Sequence, residues 1–241
     1  MTLLTIEELG TIQTSIDDKI ERAAALGLHV QVDDDLWNWK KHIETAAAGF
    51  GASRTLDPAL NDVRPGNSFW TYLVAPDGRI VACHANRFVE TEDFVREFIC
   101  THRFFGDRMP TLHYYPVQLC ESVPVIRGRI DFAGGTWVHS DYRGKDLAGL
   151  ISRIGRMLAL RHFLFDYVVG FIEATSRRRQ YGAKALGMMN RRHLLTGHYP
   201  GRNRDQEMDI YWMHRGEFVT QIAQELEEAD SDTVELKMRT A

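Results

Sequence analysis

The sequence predicts an α/β (α+β) fold, a mixed and largely antiparallel sheet flanked by helices. Three observations carry this. Phe69–Ala75 and Ile80–Val89 are rich in aromatic and β-branched residues, and Pro76-Asp77-Gly78-Arg79 between them is a turn signal, so they read as a hairpin. A long helical stripe, Leu147 to Phe163, stands between two extended runs, Arg129–His139 and Phe165–Ile172. The second of these runs is apolar almost throughout, as befits a strand buried on both faces. Strand, helix and strand in that order make a parallel crossover, so one parallel pair is expected in an otherwise antiparallel sheet.

The remaining elements follow in order. Ile6, Leu9, Ile12, Ile16, Ile20 and Ala23-Ala24 fall at three- and four-residue steps, which predicts a helix from Ile6 to Leu26 with Gly27 as its cap. Leu28, Val30 and Val32 alternate as a short strand would. Asp33–Asp35 offer an N-cap to a helix from Trp37 to Ala48, stopped by Gly49. Gly51 to Asn67 is loop-like. After the hairpin, Thr91 is placed to cap a helix reaching about Phe104. Gly106 to Pro124 is irregular, with a short strand near Tyr114–Leu119. Gly134-Gly135 interrupts the run to His139. In the 147–163 helix, Leu147, Leu150, Ile151, Ile154, Leu158 and Arg161 share one stripe and the other face is polar. Ser176 to Leu186 reads as a helix capped by Gly187, Glu207 to His214 as a strand, and Glu217 to Glu228 as an acidic terminal helix. Residues 1–228 are expected to form a single domain, with 229–241 a mobile tail.

With 241 residues the chain can bury a full core without disulfides or a structural metal. Its 44% hydrophobic and 26% charged residues are ordinary for a globular domain and exclude collagen, a coiled-coil rod and wholesale disorder. Cys83, Cys100 and Cys120 form no C-x-x-C, which suits a reducing compartment; as nucleophiles they would need a histidine near them in space. No apolar run reaches the 18 or so residues of a membrane span. Glu7 and Glu8 stand where a signal peptide would be basic, so a cytoplasmic location and no membrane partner are expected. Ten histidines show no metal-ligand spacing, so no metal is expected. Trp37, Trp39, Trp70, Trp137 and Trp212 sit within apolar patterns and are expected in the core.

The net charge of −4 argues against a general nucleic-acid binder and makes nucleic acid an unlikely partner. The average hides an asymmetry. From Arg143 to Arg204 there are 13 Lys and Arg against three acids, and Arg177 to Arg204 holds eight basic residues and no acid. A field of this kind attracts an anion such as a polyphosphate, or RNA, unless the arginines are spread over a solvated surface.

The segment Trp137-Val138-His139-Ser140-Asp141-Tyr142-Arg143-Gly144-Lys145-Asp146-Leu147-Ala148 runs from a strand through a basic turn into a helix. First-turn amides of a helix have no partner within it, and the helix dipole adds positive potential there. Arg143 and Lys145 add two cations, and Gly144 brings no side chain to obstruct approach. Together they make an anion cradle of the pyrophosphate type.

This stretch resembles the GNAT family of N-acetyltransferases, which carries an (Arg/Gln)-x-x-Gly-x-(Gly/Ala) turn between a central strand and a long helix. Arg143 and Ala148 match that turn, and Asp146 stands where the family usually has glycine. Leu186-Gly187-Met188 falls where the family often has Leu-Gly-Phe. The resemblance covers about Phe69 to His214, with Glu90–Ile130 as an insertion before the central strand. It implies an acyl-coenzyme A-dependent N-acyltransferase that uses acetyl-CoA or another acyl-CoA as co-substrate, with an unidentified amine as acceptor. It places Val138, Arg143, Gly144, Lys145, Asp146, Leu147 and Ala148 against the coenzyme, with Arg177 near its phosphate-bearing end. It also implies a gap between the strands before and after the long helix, where the acyl group is held. A base must accept the amine's proton; Glu173 at the end of the second strand is first by position and His139 second. The family's tyrosine, which gives a proton to the departing sulfur, would fall at Ala183, so Tyr181 is the nearest substitute. The alternatives are a non-catalytic module of the same fold that binds acyl-CoA or a protein partner, and an RNA-binding protein using Arg177 to Arg204. Oligomeric state, including a homodimer, stays open.

Overall fold

The computed structural model describes residues 3–46, 52–101, 103–104, 117–119, 124–173, 187–199 and 204–240. Helix α1 (Ile6–Ala25) opens with a capping box: the Thr5 hydroxyl accepts from the Glu8 amide at 3.1 Å, and the Glu8 carboxylate accepts from the Thr5 amide at 2.7 Å. Gly27, at φ +72°, ends it. Strand β1 (His29–Asp33) and helix α2 (Leu36–Ala46) follow, then the hairpin of β2 (Ser68–Val74) and β3 (Ile80–Thr91). Helix α3 (Phe94–Cys100) is shorter than its sequence suggests. Its N-cap is Asp93, not Thr91, because the Thr91 hydroxyl instead bonds the Asp93 amide and the Glu97 carboxylate. Then come β4 (Val117–Leu119), β5 (Gly128–Val138), α4 (Leu147–Phe163), β6 (Tyr167–Glu173), β7 (Asn190–Tyr199), β8 (Arg204–His214) and α5 (Arg215–Thr240). The last helix runs on through the residues expected to form a tail.

The eight strands make one sheet in the order β1-β2-β3-β5-β6-β8-β7-β4. Every neighbouring pair is antiparallel except β5 and β6, the pair joined through α4. The expected crossover is therefore present, and it lies at the centre of the sheet. Helices α1, α4 and α5 cover one face, and α2 and α3 cover the other.

Burial departs from the sequence pattern at both long N-terminal and central helices. In α1, Ile12, Ile16 and Ala23 are buried, but Ile6 is 91% exposed and Ser15 and Lys19 are buried in place of Leu9 and Ile20. The helix touches α4 and α5 along a line rotated from the apolar stripe. Helix α4 has no broad polar face: Ser152 and Arg156 are buried with its leucines, because α1 and α5 pack over the side turned from the sheet. Among the tryptophans, Trp39 and Trp70 are buried as expected, whereas Trp37 is 53% exposed on α2.

Helix α4 ends at Leu164 in the left-handed conformation, φ 51° and ψ 49°. A β-carbon is disfavoured there and glycine is not. Leu164→Gly is expected to raise stability by about 0.5–1 kcal/mol, seen as a higher Tm in thermal unfolding. A lower Tm would show that the half-buried side chain outweighs the backbone strain.

Candidate functional site

The sheet forks at its centre. Strands β5 and β6 pair only at Ile130↔Tyr167, Asp131↔Val168 and Phe132↔Val169, although β5 continues to Val138 and β6 to Glu173. Beyond the fork each strand stays zipped to its outer neighbour. Ala133 to Val138 remains on β3, and Gly170 to Glu173 remains on β8. The inner edges of both strands are thus free of the ladder that joins them below. Gly170 sits at the base of the fork, where an added β-carbon would come 3.1 Å from the Ala133 carbonyl oxygen.

A β-bulge bends β5 at this point. On β3 two steps separate Cys83 from Ala85, but their partners Trp137 and Gly134 are three apart, so β5 carries one extra residue. Gly135 in the bulge has φ +61°. The expected interruption at Gly134-Gly135 is this bulge within a continuous strand.

The turn above the fork holds the predicted cradle. His139 caps a single 3-10 turn, Ser140–Tyr142, and the chain then passes through Gly144 at φ +82° and Asp146 at φ 55°, ψ 23°. The first recorded return bond into α4 runs from the Leu150 amide to the Asp146 carbonyl. Among the described residues, no group accepts from the amides of Gly144 through Gly149. Residues 143 to 146 are exposed, so Arg143 and Lys145 flank the free amides at the surface. The Asp146 carboxylate makes no capping bond. Its left-handed backbone explains why glycine suits this position, and aspartate is among the few other residues that tolerate it.

Other predicted residues divide. Val138 ends β5 and packs against the core cluster that holds Leu147 and Leu150 of α4, joining fork to turn. Leu147 and Ala148 are buried as the helix begins. His139 lies beside the turn, its ring 6.2 Å from the Tyr142 ring, and its Nδ1 accepts from the Asp141 amide at 3.3 Å. Glu173 is half-buried at the tip of β6 opposite Met208, on the same side of the strand as Val169 and Phe171. Tyr181, Ala183 and Arg177 to Arg179 lie outside the described residues. The described part of the basic segment is not one patch: Arg153 faces Glu225, Arg156 is buried, and Arg191 pairs with Asp209 at 2.8 Å. Cys83 is buried and its thiol is pushed up to about 12 by desolvation, which unsuits it as a nucleophile.

The sequence left one feature unread. A ladder of rings, buried at Trp70 and half-buried beyond it, climbs from the sheet to the cradle on the α2 side. Trp70 stacks on Tyr72 at 4.2 Å, His42 lies 6.2 Å from Trp70 and 5.1 Å from Trp137, and Trp137 lies 5.9 Å from His139. The ladder ends at Tyr142, which has the Lys145 ammonium 5.1 Å above its ring. Its signal was the aromatic spacing at 70/72 and 137/139/142, which is indistinguishable in sequence from core packing.

No protein-family model and no curated protein matches the sequence. Solved structures with a similar chain path include spermidine N-acetyltransferase SpeG from Vibrio cholerae, at 7% identity over 81% of this chain and 98% of that one, with a TM-score of 0.49. NAA60 from Arabidopsis thaliana, solved with acetyl-CoA, is similar at 14% identity over 77% and 98%, TM-score 0.47. An acetyltransferase of the GNAT family from Streptococcus pneumoniae is similar at 10% identity over 77% and 99%, TM-score 0.43.

Proposed function

We propose that the protein is an acyl-CoA-dependent N-acyltransferase, with acetyl-CoA the first co-substrate to try and an amine as acceptor. The observation that carries this is the conjunction of the fork between β5 and β6 with the unpartnered amides of Gly144 to Gly149 directly above it. The free amides and the exposed Arg143 and Lys145 suit a diphosphate. The fork exposes backbone edges on both sides, where an extended chain could run between the strands. A coenzyme A thioester supplies the activated acyl carbonyl. The protein's part is to hold the diphosphate on the turn, align the acyl group in the fork and accept the proton that the amine loses.

Glu173 is the stronger candidate for that proton. The His139 Nδ1 lone pair is taken by the Asp141 amide, so in the neutral ring the hydrogen sits on Nε2 and no free lone pair is left to accept a proton. Tyr181 remains the proposed donor to the departing sulfur. The ring ladder from Trp70 to Tyr142 stands on the side of the fork where the acceptor would enter.

The test is stabilisation by ligand. Coenzyme A at a hundred times its dissociation constant should add about 2.7 kcal/mol, a rise in Tm of about 5–10 °C, and RNA should add nothing. Stabilisation by RNA alone would overturn the proposal. One observation favours the non-catalytic module instead: the Asp146 carboxylate is exposed at the mouth of the cradle. Binding of acetyl-CoA without acyl transfer to any amine in a panel would support that second reading. At a separation of about 8 Å and an effective dielectric near 40, one carboxylate–phosphate repulsion is about 1 kcal/mol. Asp146→Gly is therefore expected to bind coenzyme A about 3- to 10-fold more tightly in a calorimetric titration. Weaker binding would mean that the carboxylate orders the turn.

A further inference from the structure

On the helical face, away from the fork, the side chains of Lys19 from α1, Arg153 and Arg156 from α4, and Phe218, Gln221 and Glu225 from α5 line a narrow cleft. Among the described residues, three cations therefore face a single carboxylate. Arg156 is 1% exposed; its Nε donates to the Ser152 carbonyl at 3.0 Å, but among the described residues its buried Nη1 has no acceptor. Its guanidinium carbon lies 5.8 Å from the centre of the Phe218 ring, at the wall of the cleft. Lys19 is 3% exposed and donates to Ser15 at 3.1 Å. Glu225 is already shared: its two oxygens lie 3.4 Å from Lys19 Nζ and 3.4 Å from Arg153 Nε. The Arg153 Nε is likewise buried without a hydrogen-bond acceptor.

We infer that this cleft is a binding site for one small inorganic anion of chloride size, seated between Arg156 and Arg153. Burial, then the charge of Arg153, draws the Arg156 guanidinium down to about 10, against the opposing pull of Asp131 and Glu225. A further negative charge would relieve that excess. Among the described residues, two other acids are near but do not line the cleft. Asp18 lies 3.9 Å from Lys19 and is partly exposed, and Asp131 stands behind Arg156 on β5. The space enclosed between the side chains is of the order of one solvent molecule, which favours a compact anion over phosphate or a larger carboxylate. A neutral water could accept from Nη1, but it would leave the charge excess in place.

The experiment is thermal unfolding of the full chain at neutral pH and constant ionic strength, replacing sodium gluconate stepwise by sodium chloride. The expected result is a saturable rise in Tm of about 3–5 °C, absent from Arg153→Gln and from Arg156→Met. Arg156→Met removes the charge facing Asp131 and destabilises the fold in its own right; Arg153→Gln, on a partly exposed residue, keeps the test decisive. Crystals grown in sodium bromide should show anomalous scattering within hydrogen-bonding reach of Arg156 Nη1. Identical salt curves for wild type and Arg153→Gln, or a site that refines as water with no bromide signal, would overturn the inference.

Discussion

Gly135→Ala is expected to cost about 2–4 kcal/mol of stability and to lower Tm by about 6–12 °C. Two effects combine at this position. The residue has φ +61°, where a β-carbon is strained. The added carbon would also stand 2.5 Å from Trp39 Cζ2, 3.1 Å from Trp39 Cε2 and 3.2 Å from Leu56 Cδ1. Both neighbours are fully buried and have no room to retreat. Gly134 next to it is the control: its added carbon would meet only Leu56 Cδ1 at 3.7 Å, an ordinary contact, so Gly134→Ala should cost far less. Trp39→Leu placed beside Gly135→Ala should recover part of the loss, since it removes the clash and leaves the backbone strain. Equal losses in Gly134→Ala and Gly135→Ala would show that the bulge is not fixed by this contact. Because the bulge bends β5 beside the fork, coenzyme A binding should fall together with stability in Gly135→Ala.

The crossover was legible in sequence because it rests on long patterns. Leu147–Phe163 is a helix with the predicted limits, and the hairpin around Pro76–Arg79 forms where the turn residues placed it. Strand β7 was not legible. Asn190-Arg191-Arg192-His193 is a polar run, and the register shift between His193 and Leu195 breaks the alternation that would have marked a strand. The amphipathicity of α4 misled for a different reason: Arg156 and Ser152 mark a solvated face only if nothing packs there, and the sequence gives no sign that α1 and α5 do. At the candidate site, the turn was legible because anion cradles are built from backbone and glycine. The fork itself was expected only through the family resemblance. The single extra residue in β5 lies just beyond the last β5–β6 pair, a detail of register rather than of composition.

A buried pair beneath α4 should give the protein an unusual stability profile. Asp131 is 0% exposed, both its oxygens accept from Asn86 Nδ2 at 3.1 and 2.9 Å, and burial pushes it up to about 7. His84 is 2% exposed, its Nδ1 bonds Thr136 at 2.7 Å, and burial, aided by the charge of Arg156, draws it down to about 3. Between pH 3.8 and 7 the folded chain keeps the Asp131 proton that the unfolded chain has lost, so this group alone makes stability fall as pH rises. Between pH 3 and 6.5 the unfolded chain binds a proton on His84 that the folded chain refuses, so this group alone makes stability rise with pH. Each slope is about 1.4 kcal/mol per pH unit, and from about pH 4 to 6.5 they oppose and cancel. His84→Gln should unmask the carboxylate. Relative to wild type, its stability in urea unfolding should decline as pH rises from 4 to 6.5. Asp131→Asn should do the reverse over the same interval. Comparing each variant with wild type at every pH removes the contribution of all other titrating groups. Differences that stay constant from pH 4 to 6.5 in both variants would mean that neither group holds its proton differently in the folded chain, and that the polar layer under α4 is open to water.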